Sequence, residues 1–481
     1  MNFAIVRYLI GWMLGIESIF LLLPALTAVI YGEAELPAYL TAAAISLAGA
    51  ALLCHRKPKN TRFYAREGYV TVALCWLVLA VIGALPFVLS REIPFFIDAL
   101  FETVSGFTTT GATILGDVEA LSHASMLWRC LTHWVGGMGV LVFMLIVLPL
   151  AGGQTIFLMR AESPGPAVSK MSPHMRDTAT ILYAIYFGLT VLQMILLLIG
   201  GMPFFDAICV SLGTAGTGGF GNWNDSIAHY NSAYLQNVIT VFMILFGINF
   251  SAYFLILTRK FRQAFRIEEI RVYLGVIFVF AGLIAFNVRP MFGSLRESFH
   301  HALFQVASII TTTGFSTVDF DQWPTFSRAL LVLLMFIGAC AGSTGGGIKC
   351  SRILLLGKSV KKEMICLIHP RLVRVNKMDG QRVPHEVMRS INVFVVAYAF
   401  IFILSLLIIS LNCEDLVTCF TSVATTLNNV GPGLSLCGPT CNFGFFPPLS
   451  KGVLIFDMLA GRLELFPMLL LFTPGTWQRN K

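Results

Sequence analysis

Four segments of the chain share one pattern, and this pattern decides the fold. They read IDALFETVSGFTTTGAT (97–113), FDAICVSLGTAGTGGFG (205–221), HALFQVASIITTTGFST (301–317) and TCFTSVATTLNNVGPG (418–433). Each begins with an apolar stretch too short to cross a bilayer and ends in residues rich in threonine, glycine or asparagine. The segments align on Gly111, Gly219, Gly314 and Gly431, with a small residue six positions earlier: Ser105, Gly213, Ser308 and Thr425. Four segments in register indicate an internal repeat.

The whole chain has the composition of a membrane protein. Of its 481 residues 56% are hydrophobic and only 12% are charged, with a mean hydropathy of +0.78, whereas soluble domains contain about 25% charged residues. Apolar runs long enough to span a bilayer predict ten helices. We expect them at 4–30, 37–54, 69–90, 124–150, 178–200, 234–257, 272–288, 327–356, 388–411 and 449–472.

The charged residues predict the topology. The net charge of +8 would suggest a nucleic-acid partner in a soluble protein, but here the basic residues cluster in the loops after the second, sixth and eighth predicted helices. Because positively charged loops stay in the cytoplasm, both termini are expected to be cytoplasmic, and all four repeated segments lie on the outer side. A nucleic-acid partner is not expected.

The repeated segments have the properties of an ion-binding site. Irregular backbone at membrane depth is tolerated where protein buries it or where it lines water. Four loops rich in threonine and glycine can turn their carbonyls towards one axis and replace the water shell of a monovalent cation. The short helices before them can aim their negative C-terminal ends at the ion. Asp98 and Asp206 fit the N-cap positions of two of these helices. The alternative, that glycine and threonine only mark close helix packing, explains one such loop better than four in register.

The eighth predicted helix contains GACAGSTGGG (338–347). Five glycines, each costing about 1 kcal/mol in a helix interior, predict that the helix breaks there. A kink for helix packing is the alternative. Three charged residues near the middle of the last predicted helix stand out. Arg462 could also reach the cytoplasmic face, Asp457 has a spacing from Arg462 that is poor for a helical pair, and Glu464, two residues after Arg462, points elsewhere on a helix. Arg129 and His133, near the outer end of the fourth helix, could be interfacial.

Together these segments resemble the Trk/Ktr/HKT cation-transporter superfamily, and within it the bacterial potassium-uptake subunits. The resemblance covers nearly the whole chain. It is carried by TTTGAT, GTGGF, TTTGF and NNVGPG in the repeats, and by GSTGGGIK (342–349) and GRLE (461–464). It implies an all-α integral membrane protein with four helix–pore-loop–helix repeats around a central pore and two extra N-terminal transmembrane helices. The expected units are 1–60 for the N-terminal helices and 61–165, 166–262, 263–375 and 376–481 for the repeats.

The resemblance also implies roles for individual residues. The cation-binding filter, which would hold potassium, would be Thr109, Thr110, Gly111, Thr217, Gly218, Gly219, Thr312, Thr313, Gly314, Asn429, Val430 and Gly431. The gate would be an intramembrane loop of Gly342, Ser343, Thr344, Gly345, Gly346 and Gly347, held closed by Arg462. In plant relatives a serine at the first filter position accompanies sodium preference, so Gly111 favours potassium.

Further expectations follow from the same resemblance. The protein would be a homodimer in the bacterial inner membrane, regulated by a cytoplasmic ring of RCK domains of the TrkA type. That ring, not this chain, would bind nucleotide, and no covalently bound cofactor is implied. The basic segment 349–389 could dock the ring or could be ordinary positive charge of a cytoplasmic loop.

Other classes of function are less well supported. No nucleophile with a partnered base and no HExxH motif is present in the sequence, so an enzyme is not expected. A sodium-permeable relative and a proton- or sodium-coupled symporter remain alternatives, the latter because Asp457, or else Glu464, could carry a proton. Cys437 and Cys441 share one outer loop and could form a disulfide.

Overall fold

The protein is almost entirely helical. The computed structural model describes residues 1–58, 64–139, 175–372 and 374–477; for residues 175–178 it describes the backbone alone. The only described strands are Lys377–Met378 and Gln381–Arg382, which pair antiparallel in a short hairpin. Short 3₁₀ turns occupy Ser226–His229, Arg289–Met291, Phe320–Gln322 and Ser435–Cys437.

Two long helices precede four repeats of one arrangement. The N-terminal helices are Phe3–Tyr31 and Leu36–Cys54. Each repeat has a leading helix, a short half-helix and a trailing helix. The leading helices are Ala65–Ser90, Met175–Ile199, Glu268–Val288 and His385–Ser410. The half-helices are Phe96–Phe107, Phe204–Gly216, Leu295–Ile310 and Leu416–Leu427.

The trailing helices differ more from one another. The first is described over His123–Gly137. The other three are interrupted and comprise Ala233–Phe246 with Phe250–Leu257, Thr325–Ile337 with Cys350–Ile368, and Pro448–Arg462 with Phe466–Leu471. Two short helices, Phe261–Ala264 and Pro474–Trp477, complete the described chain.

Within the described ranges, six helices are long and apolar enough to cross a membrane, or seven if the bent pair Ala233–Phe246 and Phe250–Leu257 is one span. The protein is therefore a multi-pass membrane protein. The predicted break in the eighth helix is confirmed, because the helix stops at Ile337 and resumes at Cys350. The predicted fourth helix (124–150) extends beyond residue 139 into a segment that lies outside the described residues.

The prediction of one continuous sixth helix over 234–257 is wrong. The chain bends by 92° between Phe246 and Phe250. Backbone groups at the bend bind the glycine-rich segment instead of continuing the helix: Gly247 accepts from the Cys340 N–H (3.1 Å), and the Phe250 N–H donates to Gly342 (3.0 Å). The Asn249 side chain accepts from the Ser251 N–H and so begins the second part.

The prediction of one continuous tenth helix over 449–472 is also wrong. This helix ends at Arg462. Glu464 and Leu465 have φ values of +54° and +67°, which are left-handed conformations that interrupt a helix. Pro467 then stands in the first turn of Phe466–Leu471, where its missing N–H is tolerated.

The repeats close into a ring. The first trailing helix packs against the second half-helix, the second against the third, the third against the fourth, and the fourth against the first half-helix. The N-terminal helices lie outside this ring, against the leading and trailing helices of the first repeat. The C-terminal ends of the four half-helices therefore belong to one central assembly.

Candidate functional site

The four candidate filter loops end their half-helices in the same way. The residue before the aligned glycine donates its N–H to the carbonyl of the small residue six positions before that glycine, at 2.8–2.9 Å. The pairs are Thr110 to Ser105, Gly218 to Gly213, Thr313 to Ser308 and Val430 to Thr425. A second bond runs from the preceding N–H to the carbonyl three residues earlier, as in a Schellman motif. Each of these donor N–H groups shares a peptide unit with the carbonyl of the residue before it. A trans peptide directs N–H and C=O oppositely, so that carbonyl points away from its half-helix.

The left-handed position of this motif normally holds glycine. Here it holds Thr109, Thr217, Thr312 and Asn429, with φ between +53° and +58°. Positive φ is a genuine outlier for a β-branched residue such as threonine. Strained backbone of this kind persists where surrounding structure holds it, and it concentrates at functional sites.

The aligned glycines bring the four loops into contact. Their φ values are +78°, +79°, +84° and +100° in chain order. A Cβ atom on Gly111 would overlap the Gly218 carbonyl oxygen, and one on Gly219 would overlap that of Thr313. On Gly314 it would lie 2.5 Å from the Val430 oxygen, and on Gly431 2.7 Å from the Thr110 oxygen. Each glycine thus packs against the next loop, and the fourth loop returns to the first.

The glycines open onto a cavity, whereas the preceding residues are buried. Thr109, Thr110, Thr312 and Thr313 have no exposed surface. All four aligned glycines line a cavity of about 130 Å³, which we call the vestibule. Asp117 lies between two vestibule residues, and the hydrogen bond from the Asn224 amide lowers the pKa of its carboxyl. It is therefore negatively charged at neutral pH, which favours cations at this entrance.

Hydrogen bonds of side chains hold the filter loops in place. In loops one and three, the hydroxyls of Thr108 and Thr110 and those of Thr311 and Thr313 are hydrogen-bonded in pairs, each at 2.8 Å. The Asn429 amide bridges the fourth loop to the first by donating to the Thr110 hydroxyl and the Met458 carbonyl, both at 2.9 Å. The loops are thus fixed both within and between repeats.

Asp98 and Asp206 do not cap their half-helices, so that prediction is wrong. Phe95 and Pro203 occupy the N-cap positions, and both aspartates lie in the first turn. Their carboxylates serve tertiary contacts instead. Asp98 pairs with Lys451 of the last repeat at 2.6 Å. Asp206 accepts hydrogen bonds from Asn222, Trp223 and Tyr230.

The candidate gate contacts the half-helix end of the filter loops. The Gly346 N–H donates to the Thr312 hydroxyl at 2.7 Å, and the Gly347 N–H donates to the Asn428 carbonyl at 3.0 Å. The Thr344 hydroxyl donates to the Phe246 carbonyl at 3.2 Å. Gly342, Ser343, Gly345, Gly346 and Gly347 line a second cavity, of about 90 Å³, together with Lys349 and Arg462. The segment therefore lies at the end of the filter loops opposite the vestibule.

Arg462 joins this segment to the first repeat. Its guanidinium donates to the Thr344 carbonyl at 2.8 Å and to the carbonyls of Gly136 and Gly137 at 2.5 and 2.8 Å. The Asp457 carboxylate accepts instead from the Ser405 hydroxyl at 2.7 Å. The structure thus places Arg462 directly against the loop that the sequence singled out.

Two further charged residues hold the same segment, and neither was predicted to contact the gate. One carboxylate oxygen of Glu269 accepts from the N–H groups of Ala341 (2.7 Å) and Ser351 (3.0 Å), on either side of the glycines. The Lys349 ammonium donates to the Gly345 carbonyl at 2.5 Å. The sequence could have pointed to Glu269, because a carboxylate at the start of a spanning helix usually has a partner.

Arg129 and His133 are not interfacial, because both are buried beside the first two filter loops. Arg129 pairs with Glu102 at 2.8 Å and lies over the Phe220 ring, 4.0 Å from its centre. His133 bonds Gly106 and Phe220 through its two ring nitrogens. Their spacing of one helical turn placed them on one face, but only the packing shows what that face meets.

Cys437 and Cys441 carry free thiols.

Comparison with known proteins gives consistent results over the full length. A family model described as TrkH, a cation transport protein, matches residues 38–279 and 279–478. The chain is 38% identical to the Trk system potassium uptake protein TrkH of Escherichia coli K12 over 484 residues, covering 99% of this chain and all of the relative. It is 33% identical to TrkG of the same organism over 479 residues, covering 98% of each chain.

The fold is similar to a solved structure as well. The crystal structure of the potassium transporter TrkH from Vibrio parahaemolyticus matches with a TM-score of 0.89 at 33% identity. The match covers 99% of this chain and all of the other.

Proposed function

Because the chain belongs to the TrkH family of cation transport proteins, we propose that it takes up potassium across the bacterial inner membrane through a channel-like pore. The observation that carries this proposal is the closed ring of loops, in which each aligned glycine packs against a carbonyl of the next loop. Relatives named as potassium uptake proteins cover the whole chain. Each expected repeat, 61–165, 166–262, 263–375 and 376–481, would contribute one loop.

The filter consists, in this proposal, of Thr109–Gly111, Thr217–Gly219, Thr312–Gly314 and Asn429–Gly431. Their carbonyls replace the hydration shell of a potassium ion. The half-helices add negative potential from their C-terminal ends. The left-handed residues Thr109, Thr217, Thr312 and Asn429 support this role, because strained backbone concentrates at functional sites and here it recurs in all four loops.

The segment Gly342–Gly347 acts as the gate. It contacts the filter loops through Thr312 and Asn428 and is held by Arg462. Glycine-rich backbone can change conformation at low cost. Conduction requires this segment to move away from the half-helix end of the filter, and loss of the Arg462 contacts favours that movement.

The remaining features concern topology and partners. With both termini cytoplasmic, the vestibule faces the periplasm. We propose a homodimer with one pore per protomer, regulated by a cytoplasmic RCK ring of the TrkA type that binds the nucleotide. The basic segment 349–389 is the proposed docking surface. It is supported by the exposed side chains of Lys361, Arg371, Arg374, Lys377, Arg382 and Arg389.

Growth of a potassium-uptake-deficient bacterium at low potassium tests this function. The chain is expressed with a TrkA-type partner, and rescue is expected. Gly111→Ser should abolish rescue, because its side chain would meet the Gly218 carbonyl at a left-handed position. Gly188→Ser is the matched control, since that helical glycine has open space around its Cβ position.

Two outcomes would change the conclusion. Equal growth of both glycine variants would contradict the assignment of the filter. Failure of the wild-type chain to rescue, with normal membrane expression, would favour the alternative of a sodium-permeable pore or a proton- or sodium-coupled symporter. The buried Asp457 carboxylate would then be the first residue to examine for coupling.

A further inference from the structure

The second filter loop lacks the internal support that two other loops have. In loops one and three, paired threonine hydroxyls fix the backbone on either side of the left-handed residue. The equivalent positions in loop two are Gly216 and Gly218, which carry no side chain. Loop two therefore needs support from outside itself.

His133 occupies the space that those side chains leave. A Cβ atom on Gly218 would overlap the His133 imidazole, and one on Gly216 would overlap the His133 backbone carbonyl. His133 comes from the trailing helix of the first repeat and has no exposed surface. Its ring also packs on Phe220, with centres 4.2 Å apart. The two glycines thus permit a close approach of this histidine.

Both ring nitrogens of His133 are committed to backbone partners. Nδ1 lies 2.8 Å from the carbonyl oxygen of Gly106 in the first half-helix. The Phe220 N–H donates to Nε2 at 3.2 Å. A carbonyl only accepts and an amide N–H only donates, so the imidazole must be neutral with its proton on Nδ1. It bridges the first half-helix to the second filter loop.

The bond to Phe220 fixes a filter carbonyl. Gly219 C=O and Phe220 N–H belong to one peptide unit, and a trans peptide directs them oppositely. With the N–H held on the histidine, the Gly219 carbonyl points away from His133. The fourth loop has Pro432 at the matching position, which has no N–H to hold. Loop two is thus oriented by a side chain from the neighbouring repeat.

We propose that His133 is a positioning residue for ion discrimination, which sets the Gly219 carbonyl of the second filter loop. This inference rests on the proposed filter. It extends that proposal by assigning selectivity to a side chain that does not itself touch the ion. Potassium and sodium differ in size, so the number and position of coordinating carbonyls decide which ion is preferred.

Three variants separate positioning from general stability. His133→Phe keeps a flat ring and loses both nitrogen bonds. His133→Gln keeps an acceptor for the Phe220 N–H. Leu131→Ala is the control, because Leu131 is buried on the same helix and packs in the apolar core. It should lower the melting temperature without reorienting the filter.

The first readout is potassium uptake in competition with sodium. His133→Phe should lower the preference for potassium by about tenfold, equivalent to about 1.4 kcal/mol. His133→Gln should retain most of the preference, and Leu131→Ala should leave the ratio unchanged. The second readout is the melting temperature of the purified protein in potassium against sodium; the potassium-specific increase should disappear only in His133→Phe.

The outcomes are distinguishable. If the wild-type chain discriminates and His133→Phe does so equally, or if Leu131→Ala changes the ratio as much, the positioning role is overturned and the proposed function stands. If the wild-type chain shows neither uptake nor potassium-specific stabilisation, the proposed function fails and this inference fails with it.

Discussion

At the scale of single residues, the most informative feature is a conformation. Thr109, Thr217, Thr312 and Asn429 all adopt φ near +55° at the end of a half-helix. Glycine would remove this strain, yet it would also remove side chains with specific contacts: the Thr312 hydroxyl accepts from the Gly346 N–H of the proposed gate, and the Asn429 amide bridges to the first loop. The strained residues thus connect the filter loops to their surroundings.

Arg462 provides the sharpest prediction at this scale. Arg462→Ala removes the hydrogen bonds to the carbonyls of Thr344, Gly136 and Gly137. Hydrogen bonds to charged groups contribute about 1.5–3 kcal/mol each, so losing even one should shift a closed-to-open equilibrium by about tenfold or more. Potassium flux into vesicles containing the purified variant should therefore rise.

The control for Arg462 is Arg328→Ala, which removes a partly exposed arginine paired with Asp321. It should leave the flux unchanged. Flux in Arg462→Ala that equals wild type, at the same amount of protein, would show that this arginine does not hold the gate closed.

At the scale of elements, the interruptions of the trailing helices have a common cause. The second, third and fourth each stop beside the glycine-rich segment. The bend at Gly247 bonds Cys340, the third break contains the segment itself, and the fourth ends at Arg462, which bonds Thr344. At the second and third breaks the loop bonds backbone groups left unpaired at the helix ends, and at the fourth it accepts from the Arg462 side chain.

Substitution of Glu269 tests how the glycine-rich segment is held in place. Its carboxylate accepts the N–H groups of Ala341 and Ser351 at the two ends of the segment. Glu269→Ala leaves two buried donors without this acceptor, and each unpaired donor costs about 1–3 kcal/mol. The melting temperature of the detergent-solubilised variant should fall by several degrees.

Glu269→Gln is the matched variant, because its amide oxygen still accepts both bonds. It should retain most of the stability. Equal losses in the alanine and glutamine variants would mean that the charge, and not the two hydrogen bonds, holds the segment.

At the scale of the whole molecule, the ring closes through contacts between the first and last repeats. Asp98 in the first half-helix pairs with Lys451 in the last trailing helix at 2.6 Å, and Asn429 bonds Thr110. The first and last repeats are more than 300 residues apart along the chain at these contacts. Tertiary packing alone brings them together.

Substitutions in the ion pair of Lys451 and Asp98 test how much these contacts stabilise the closed ring. Lys451 and Asp98 have side-chain exposures of 8% and 19%, so removing one partner leaves a poorly solvated charge. Lys451→Met should destabilise the protein by about 3 kcal/mol, as for other largely buried pairs. The exchanged pair Asp98→Lys with Lys451→Asp should recover part of the loss. A double-mutant cycle on the melting temperature that gives additive effects would contradict a direct coupling.

The sequence alone determined the membrane class, the four repeats and the helix break in the third repeat. These follow from local properties: the length of apolar runs, the register of four glycines, and the cost of glycine in a helix. It also selected the segment 342–347 and Arg462, because glycine runs and charges are rare inside spanning helices.

Only the tertiary structure decided the roles that depend on partners. The bend at Gly247 was not predicted, because its backbone groups bond the glycine-rich segment. The end of the last helix at Arg462 was not predicted either, because Glu464 and Leu465 adopt left-handed conformations that their residue types do not favour. Asp98 looked like a cap, yet it binds a lysine from the far end of the chain. His133 and Arg129 looked interfacial, yet packing between repeats buries them beside the filter loops. Periodicity shows which face of a helix a residue occupies, but not which distant element covers that face.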